Sequence, residues 1–150
     1  MAAKESVVFE FEKLIVYQEA KAFRARIYKL ARLLPSDEYK LKGQMWDASR
    51  SLTNCMAEGY GRFTFKDRLH FFRESRGSLM ELIDDISICD QERYAKHDHL
   101  EDHRFDGAKV LKRLNAYINY LDTQAKLLAR PIRRTAKARL PVTEFPIPNT

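Results

Sequence analysis

The chain has 150 residues, a length that suits one domain with its own hydrophobic core. Hydrophobic residues make up 45% of the sequence, and only 5 Gly and 5 Pro provide turn signals, which favours an all-helical body over an all-β one. No apolar run approaches the ~20 residues of a membrane span, and the N-terminus has no apolar signal core. These features exclude the membrane-spanning class and lead us to expect a cytoplasmic protein.

The net charge of +6 at pH 7 is distributed unevenly along the chain. The segment from residue 130 to the end has five basic residues and one acid, so it carries +4 and the rest of the chain +2. A basic segment of this kind attracts polyanions such as nucleic acid. Four prolines in residues 131–150 predict an extended tail. The basic residues of this region that we expect to bind nucleic acid are Arg130, Arg133, Arg134, Lys137 and Arg139.

Two helical patterns follow a leader of residues 1–11. Apolar residues at steps of three and four predict a first helix that begins near Glu12 or Leu14 and ends at Pro35. A second helix with the same kind of stripe follows the Pro35 turn. The stripe of the first helix is Val16, Ala20, Phe23, Ile27, Leu30 and Leu34, and that of the second is Leu41, Met45, Ala48, Leu52, Cys55 and Gly59.

Three aromatic residues lie off these stripes. Tyr17 and Tyr28 fall about 100° round the first helix from its core face, which fits either a partly covered flank or a contact with another subunit. Trp46 lies well away from the stripe of the second helix. An exposed lone tryptophan is uncommon, so we expect a partner subunit to cover it, with a nucleotide base as the alternative.

Glycines mark a corner and an interruption in the middle of the chain. Gly59 and Gly61 are expected to let the chain turn with positive φ, since glycine has no Cβ to clash. Gly77 falls inside the next helical pattern at a cost of roughly 1 kcal/mol. It predicts close approach of another helix or, alternatively, a bend.

The third helix is predicted from about Phe65 to Tyr94, with Thr64 as its N-cap. Its main stripe is Phe65, Leu69, Phe72, Leu79, Ile83 and Ile86. Phe71 and Leu82 widen the apolar arc on one side. An arc this wide has two surfaces to bury, which favours contact with a neighbouring subunit as well as with the rest of the bundle.

The fourth helix has the clearest period, with apolar residues at alternating steps of three and four before Pro131. Its stripe is Ala108, Leu111, Leu114, Ile118, Leu121, Ala125 and Leu128. This spacing is typical of helices that pack at shallow angles. We therefore predict an all-α fold, an antiparallel up-down four-helix bundle, over residues 12–130.

Side chains with catalytic or metal-binding chemistry are few. His99 and His103 are four apart and could share a helical face for a metal ion, but the acids around them also suit a charged connector at a helix start. We interpret the segment as a connector without a metal site. Cys55 and Cys89 fall on apolar sides of their helices and are expected to be buried thiols. No catalytic arrangement or cofactor loop is recognisable, so we expect neither enzymatic activity nor a cofactor.

Five parts of the sequence resemble a known family. They are FEKLIVYQEA at residues 11–20, IYKL at residues 27–30, the turn from Pro35 to Glu38, AEGYGR at residues 57–62 and RGSLMEL at residues 76–82. Over about residues 9–125 the chain resembles the bacterial four-helix-bundle family encoded in intervening sequences of the large-subunit ribosomal RNA gene. The resemblance implies a bundle that assembles as a homopentameric barrel.

A related branch of that family comprises the accessory proteins of diversity-generating retroelements, which bind a reverse transcriptase and nucleic acid. The resemblance therefore implies a nucleic-acid-associated oligomer, and it leaves open whether ribosomal RNA or a retroelement is its setting. The chain departs from the family at residues 44–47, where Met45-Trp46-Asp47 follows Gln44 in place of two common arginines. Cys55 also replaces a common Asn. If the arginines of the family face a polyanion, that surface is weaker here, which shifts the expected binding toward the tail.

Two functions fit these features. The first is nucleic-acid binding, for which the candidate residues in the body are Arg62, Lys66, Arg68, Lys109, Lys112, Arg113 and Lys126. The second is a pentameric protein-interaction scaffold without direct nucleic-acid binding, with Trp46 and the tail as its docking elements. The candidate subunit or partner contacts are Tyr17, Tyr28, Trp46, Phe71 and Leu82.

Overall fold

The computed structural model describes residues 3–130, and all of the regular structure within that range is helical. A short 3-10 helix, Glu10–Lys13, precedes four α-helices. These are α1 (Ile15–Arg32), α2 (Tyr39–Tyr60), α3 (Phe65–Gln91) and α4 (His97–Ala129). The prediction of four helices and no strand is confirmed for the described residues. The predicted tail at residues 131–150 lies outside them.

Local hydrogen bonds set two helix starts. Thr64 is the N-cap of α3 as predicted, because its Oγ1 accepts a hydrogen bond from the backbone N–H of Asp67 at 3.1 Å. The chain before α1 is held in the 3-10 turn, where Glu12 Oε2 accepts from the backbone N–H of Phe9 at 2.8 Å. The α-helical part therefore begins at Ile15, directly after the predicted Leu14 and not at the alternative, Glu12.

The third helix ends earlier than predicted. The helix stops at Gln91, and Arg93 adopts a φ of 59°, the one positive φ among non-glycine residues in the described part of the chain. A side chain in this left-handed region breaks the helical path and carries the backbone into the short connector to α4. Apolar periodicity alone did not reveal this turn.

The helices pack in chain order around the core. α1 contacts α2 and α4, and α3 contacts α2 and α4. Contacts between α1 and α2 pair Arg24 with Thr53 and Tyr28 with Trp46, so residue numbers rise on one helix as they fall on the other. The same inverse pairing joins α3 to α4, where the buried ring of Phe72 meets that of Tyr117 and Arg104 donates to Ser87.

The core face of α4 is turned relative to its predicted stripe. Ala108 is exposed and Leu128 is 73% exposed, so both predictions of core positions were wrong. His103 and Gly107 take core positions instead, and an apolar criterion passes over both residue types. The buried positions of α4 are Leu100, His103, Gly107, Val110, Leu114 and Leu121.

The glycines have other roles than predicted. No glycine among the described residues has a positive φ. Gly59 lies inside α2 and allows α3 to approach, since an added Cβ would lie 2.8 Å from the Cβ of Phe71. A Cβ at Gly77 would meet nothing within 4 Å, so the predicted close approach at Gly77 is not present.

Several predicted subunit contacts are part of the core of this protomer. Leu82 has no exposed surface and Tyr17 is only 8% exposed, so neither side chain is free to contact a second subunit. Trp46 is half-buried and stacks on Tyr28 with ring centroids 5.9 Å apart, which corrects the expectation of an exposed tryptophan. Phe71 is half-buried beneath the guanidinium of Arg62, which lies 4.6 Å from its ring centroid.

The two cysteines differ in burial. Cys89 is buried as predicted, and burial raises the pKa of its thiol to about 11, so the thiol is protonated at neutral pH. Cys55 is only half-buried, with its sulfur 3.7 Å from Ser51 Oγ.

Candidate nucleic-acid interface

A groove of about 790 Å³ lies between the start of α1 and the middle of α4. We call it the cation–aromatic groove. Four basic residues and one carboxylate line it, which gives its walls a formal charge of +3. Its floor is apolar. The lining residues are Lys13, Leu14, Ile15, Val16, Glu19, Lys109, Lys112, Arg113, Ala116, Tyr117 and Tyr120.

Two tyrosines one turn apart on α4 form the aromatic part of the groove. The ring centroids of Tyr117 and Tyr120 are 5.9 Å apart. The ring of Tyr117 packs against the buried ring of Phe72, with the two centroids 4.6 Å apart. Burial of Tyr117 raises the pKa of its hydroxyl. Tyr120 is 50% exposed and meets Phe65 edge to face at 6.4 Å. A rigid inner ring and an exposed outer ring thus lie side by side.

Aromatic and basic side chains continue from the groove to the α2–α3 corner. The guanidinium of Arg68 lies 5.2 Å from the ring centroid of Tyr60 and 5.8 Å from that of Phe65. The Nε of Arg68 also donates to the backbone carbonyl of Arg62 at 2.7 Å. Arg68 is therefore held in place and closes the turn between α2 and α3.

Most of the groove cations are paired with acids. Arg113 Nε donates to Glu19 Oε1 at 2.7 Å, and Lys109 Nζ lies 2.8 Å from Asp106. Lys13 pairs with Glu10 in the 3-10 turn at 2.5 Å. Lys112 is exposed and forms no ion pair within residues 3–130. Its ammonium is the groove charge that is most available to an incoming anion.

Glu19 has a positioning role in the groove. One carboxylate oxygen accepts from Arg113, and the other is buried without a hydrogen-bond partner among the described residues. A buried, unsatisfied carboxylate oxygen is costly unless cations lie nearby. The surrounding lysines and Arg113 supply that positive potential. In turn, the hydrogen bond to Glu19 holds the guanidinium of Arg113 at the side of the groove.

Comparison with known proteins identifies the fold and family. The family model described as 23S rRNA-intervening sequence protein matches residues 12–116. The chain belongs to this family. A solved structure of a protein of unknown function from the S23 ribosomal protein family of Bacteroides thetaiotaomicron VPI-5482 is similar, with a TM-score of 0.65 and 16% identity. The similarity covers 70% of this chain and 96% of that one, and at this identity it shows the fold alone. No curated protein matches the chain.

The match to the intervening-sequence family includes most of the groove. It begins at Glu12, one residue before Lys13, and ends at Ala116, one residue before Tyr117. The aromatic pair Tyr117 and Tyr120 therefore lies just beyond the matched residues. The basic wall falls inside the family region, and the aromatic wall is contributed by the continuation of α4.

The structure brings together only some of the predicted nucleic-acid contacts. Lys109, Lys112 and Arg113 line the groove, and Arg68 lies next to it. The other predicted contacts within the described residues lie outside the groove. They are Arg62, which forms an ion pair with Glu58 at 2.5 Å, Lys126, which forms one with Asp122 at 2.7 Å, and the exposed Lys66 and Arg130. Arg133, Arg134, Lys137 and Arg139 lie outside the described residues.

The sequence reading missed the aromatic half of the groove and its α1 side. Tyr117 and Tyr120 are three apart and follow Lys112 and Arg113 on the same helix, a spacing that could have indicated an aromatic and basic face. No sequence pattern indicated Lys13, because only the 3-10 turn and the packing of α1 on α4 place it beside these α4 residues.

The histidines of the described part of the chain belong to no metal-binding cluster. Within residues 3–130 no group of three or more His, Cys, Asp or Glu side chains could hold a metal ion. His103 is buried in the core, its Nδ1–H donates to the carbonyl of His99 at 2.7 Å, and burial lowers its pKa. In the same range, every helix is too short or too polar to cross a membrane.

Proposed function

We propose that this member of the intervening-sequence family is a non-enzymatic protein that binds single-stranded nucleic acid in the cation–aromatic groove. The observation that carries the proposal is the placement of the Tyr117 and Tyr120 rings beside the ammonium of Lys112 and the guanidinium of Arg113. Unpaired bases stack on aromatic rings, and phosphates are neutralised by lysine and arginine.

The shape of the groove supports a flexible, single-stranded ligand. Its apolar floor between α1 and α4 suits a base face, and its basic rim suits a phosphate. Each base that stacks on a tyrosine contributes about 1–3 kcal/mol to binding. A duplex keeps its bases stacked inside, so it would use only the basic rim and bind more weakly.

RNA is the ligand class that we propose, in keeping with a family description that names 23S rRNA without stating what the protein binds. The basic residues of the tail are proposed to add nonspecific attraction to phosphates. A cytoplasmic location accords with an RNA ligand and is part of the same proposal. Reverse transcriptase remains a proposed protein partner that rests on the resemblance to retroelement accessory proteins.

We further propose that the bundle is antiparallel and up-down, and that it works as an oligomer. The inverse pairing of residue numbers between α1 and α2, and between α3 and α4, supports the up-down arrangement. The homopentamer is supported by the sequence resemblance. Multiple copies would present several grooves and several basic tails to one strand, which raises the overall affinity without new contacts.

Fluorescence-anisotropy titration of the full chain tests the proposed ligand class. The probes are a single-stranded RNA, a single-stranded DNA of the same sequence and the matching duplex, each at low and moderate salt. We expect the single strands to bind at least about tenfold more tightly than the duplex, because one extra stacked base is worth that factor. Equal binding of all three probes would remove the stacking role, and no binding at low salt would contradict nucleic-acid binding altogether.

A protein-interaction scaffold is the second candidate function. Phe63 in the α2–α3 connector is fully exposed and Phe105 on α4 is 67% exposed, and such side chains favour a protein surface as partner. Affinity capture before and after nuclease treatment separates the two functions. Partners that survive nuclease and are lost with Phe63→Ser would support the scaffold.

A further inference from the structure

Helix α2 separates two surface hollows of opposite charge. One lies between α1 and α2 and has a volume of about 510 Å³; its lining within residues 3–130 includes four basic side chains and no acid. We call it the basic hollow. Its lining residues are Arg24, Ala25, Tyr28, Lys29, Arg32, Arg50 and Asn54.

The second hollow lies between α2 and α3 and has a volume of about 450 Å³; four acids and no base line it in the described part of the chain. We call it the acidic hollow. Its lining residues are Gln44, Asp47, Ala48, Ser51, Glu81, Asp84 and Asp85. The two hollows are thus similar in size and opposite in charge.

The acidic hollow is electrostatically unfavourable in a single copy. Asp85 is only 8% exposed, and burial together with the charges of Asp84 and Glu81 raises its pKa to about 6. No cation within residues 3–130 forms an ion pair with any of these three acids. Cations from outside would lower this repulsion.

The basic hollow has the complementary excess. Lys29 and Arg32 are exposed and form no ion pair among the described residues. Arg24 donates to the hydroxyl of Thr53 at 2.7 Å, a contact that leaves its charge unneutralised. Arg50, on α2 between the hollows, forms the one ion pair of the basic hollow within residues 3–130, and its partner is Asp47.

We propose that the basic hollow of one copy of this chain docks against the acidic hollow of a second copy. The occupant is a second copy because the same chain carries both a basic and an acidic surface, and their opposite charges attract. The contact is heterologous, so each copy uses both hollows and the copies join head to tail, as the proposed homopentamer requires. This inference rests on the proposed oligomeric state and assigns its surfaces.

Charge reversal tests the contact by measuring mass in solution. The basic-hollow variant is Lys29→Glu with Arg32→Glu, and the acidic-hollow variant is Glu81→Lys with Asp84→Lys. Because Arg50 and Asp47 neutralise each other, the first variant changes the remaining charge of the basic hollow from +3 to −1, and the second changes that of the acidic hollow from −3 to +1. Each variant therefore makes both docking surfaces of a copy alike in sign. The mass of the full chain is measured by light scattering after size exclusion, over a concentration series, with circular dichroism to verify that each variant is folded.

We expect each variant to shift the midpoint of self-association to at least about tenfold higher concentration, because like charges then face each other. The quadruple variant, which reverses both hollows, should restore self-association because the signs are again complementary. A control matched to the basic-hollow variant, Lys66→Glu with Lys126→Glu, lowers the net charge by the same four units outside both hollows and should leave the mass unchanged.

The remaining outcomes overturn the proposal in distinguishable ways. A monomeric wild-type chain contradicts the oligomer itself, whereas an oligomer that survives both reversals places the contact elsewhere. If the basic-hollow variant keeps its mass but loses affinity for a single-stranded RNA, the basic hollow binds nucleic acid instead of a second copy. Nucleic-acid binding by the groove is measured separately and does not depend on these results.

Discussion

Gly59 and Gly77 show that the same residue type in a helix can have opposite effects on stability. Gly59→Ala would place a Cβ 2.8 Å from Phe71 Cβ and 3.1 Å from the ring of Phe72. We expect it to lower the free energy of unfolding by about 1–2 kcal/mol, since overpacking exceeds the gain in helix propensity. The matched change Gly77→Ala meets open space and should raise stability by about 0.5–1 kcal/mol.

Urea unfolding of the two variants measures both effects. The sign is the informative quantity, because helix propensity alone predicts stabilisation in each case. A stabilised Gly59→Ala variant would show that α3 does not approach α2 as closely as described.

Asp85 should make stability depend on pH. Its pKa is about 6 in the folded chain and near 4 in the unfolded chain, so the folded state holds the proton more tightly. This contribution is fully present below about pH 4 and is lost as the pH rises through about 6. The charges that face Asp85 are Asp84 and Glu81 on α3 and Asp47 on α2, which are all acidic.

The variant Asp85→Asn removes this titration. At pH 7.5 we expect it to be more stable than the wild type by on the order of 2–3 kcal/mol, with the difference shrinking toward pH 4. Urea unfolding of both proteins across this range measures the difference and cancels the opposing contribution of the buried His103. A constant difference across the range would mean that Asp85 titrates normally.

At the scale of the element, Thr64 is the residue that defines the start of α3. Its hydroxyl accepts from the Asp67 N–H and donates to the Asp67 carboxylate at 2.8 Å. Thr64→Ala removes both bonds and should cost about 1 kcal/mol, whereas Thr64→Ser keeps them and should cost little. Thermal unfolding compares the variants, and equal losses would indicate that the hydroxyl does not cap the helix.

Tyr120 on α4 offers an exposed ring on which a base can stack. Tyr120→Ala should weaken binding of a single-stranded RNA by about 1–3 kcal/mol, because it removes one stacking surface. Tyr39→Ala is the matched control, since Tyr39 is 67% exposed at the start of α2 and lies outside the groove. Anisotropy titration measures both variants. Equal affinities would show that Tyr120 does not stack on a base.

The sequence predicted the helical elements better than their faces. Apolar periodicity located four helices, and the Thr64 cap was read correctly, because both signals are local. The core face of α4 was misplaced because His103 and Gly107 occupy core positions that an apolar criterion passes over. Gly59 was taken for a turn residue, since the approach of Phe71 is a tertiary contact that no local pattern contains.

The site was predictable to a lesser extent. Lys109, Lys112 and Arg113 were named because they are basic and lie on one helix. These three residues lie near Lys13 only because α1 packs against α4, which brings together residues about a hundred positions apart in the sequence. The acidic and basic hollows beside α2 likewise arise from pairs of helices and have no signature within a single one.

At the scale of the whole molecule, the protein distributes its charges among separate surfaces. The groove is at the end of the bundle where α1 begins, and the two hollows flank α2. This separation would let one copy bind a strand and contact its neighbours at the same time. A modest net charge of +6 therefore conceals surfaces of strong local charge.

The salt dependence of RNA binding tests the groove most directly. The variant is Lys13→Ala with Lys112→Ala, and the control is Lys40→Ala with Lys96→Ala, which removes the same charge from residues outside the groove. Each phosphate contact to a single strand contributes about 0.7 to the slope of log affinity against log salt.

We predict that the groove variant binds a single-stranded RNA more weakly at low salt and that its slope is smaller by about 1.4, while the control matches the wild type. A groove variant with the affinity and slope of the wild type would contradict the assignment of this groove as the nucleic-acid interface.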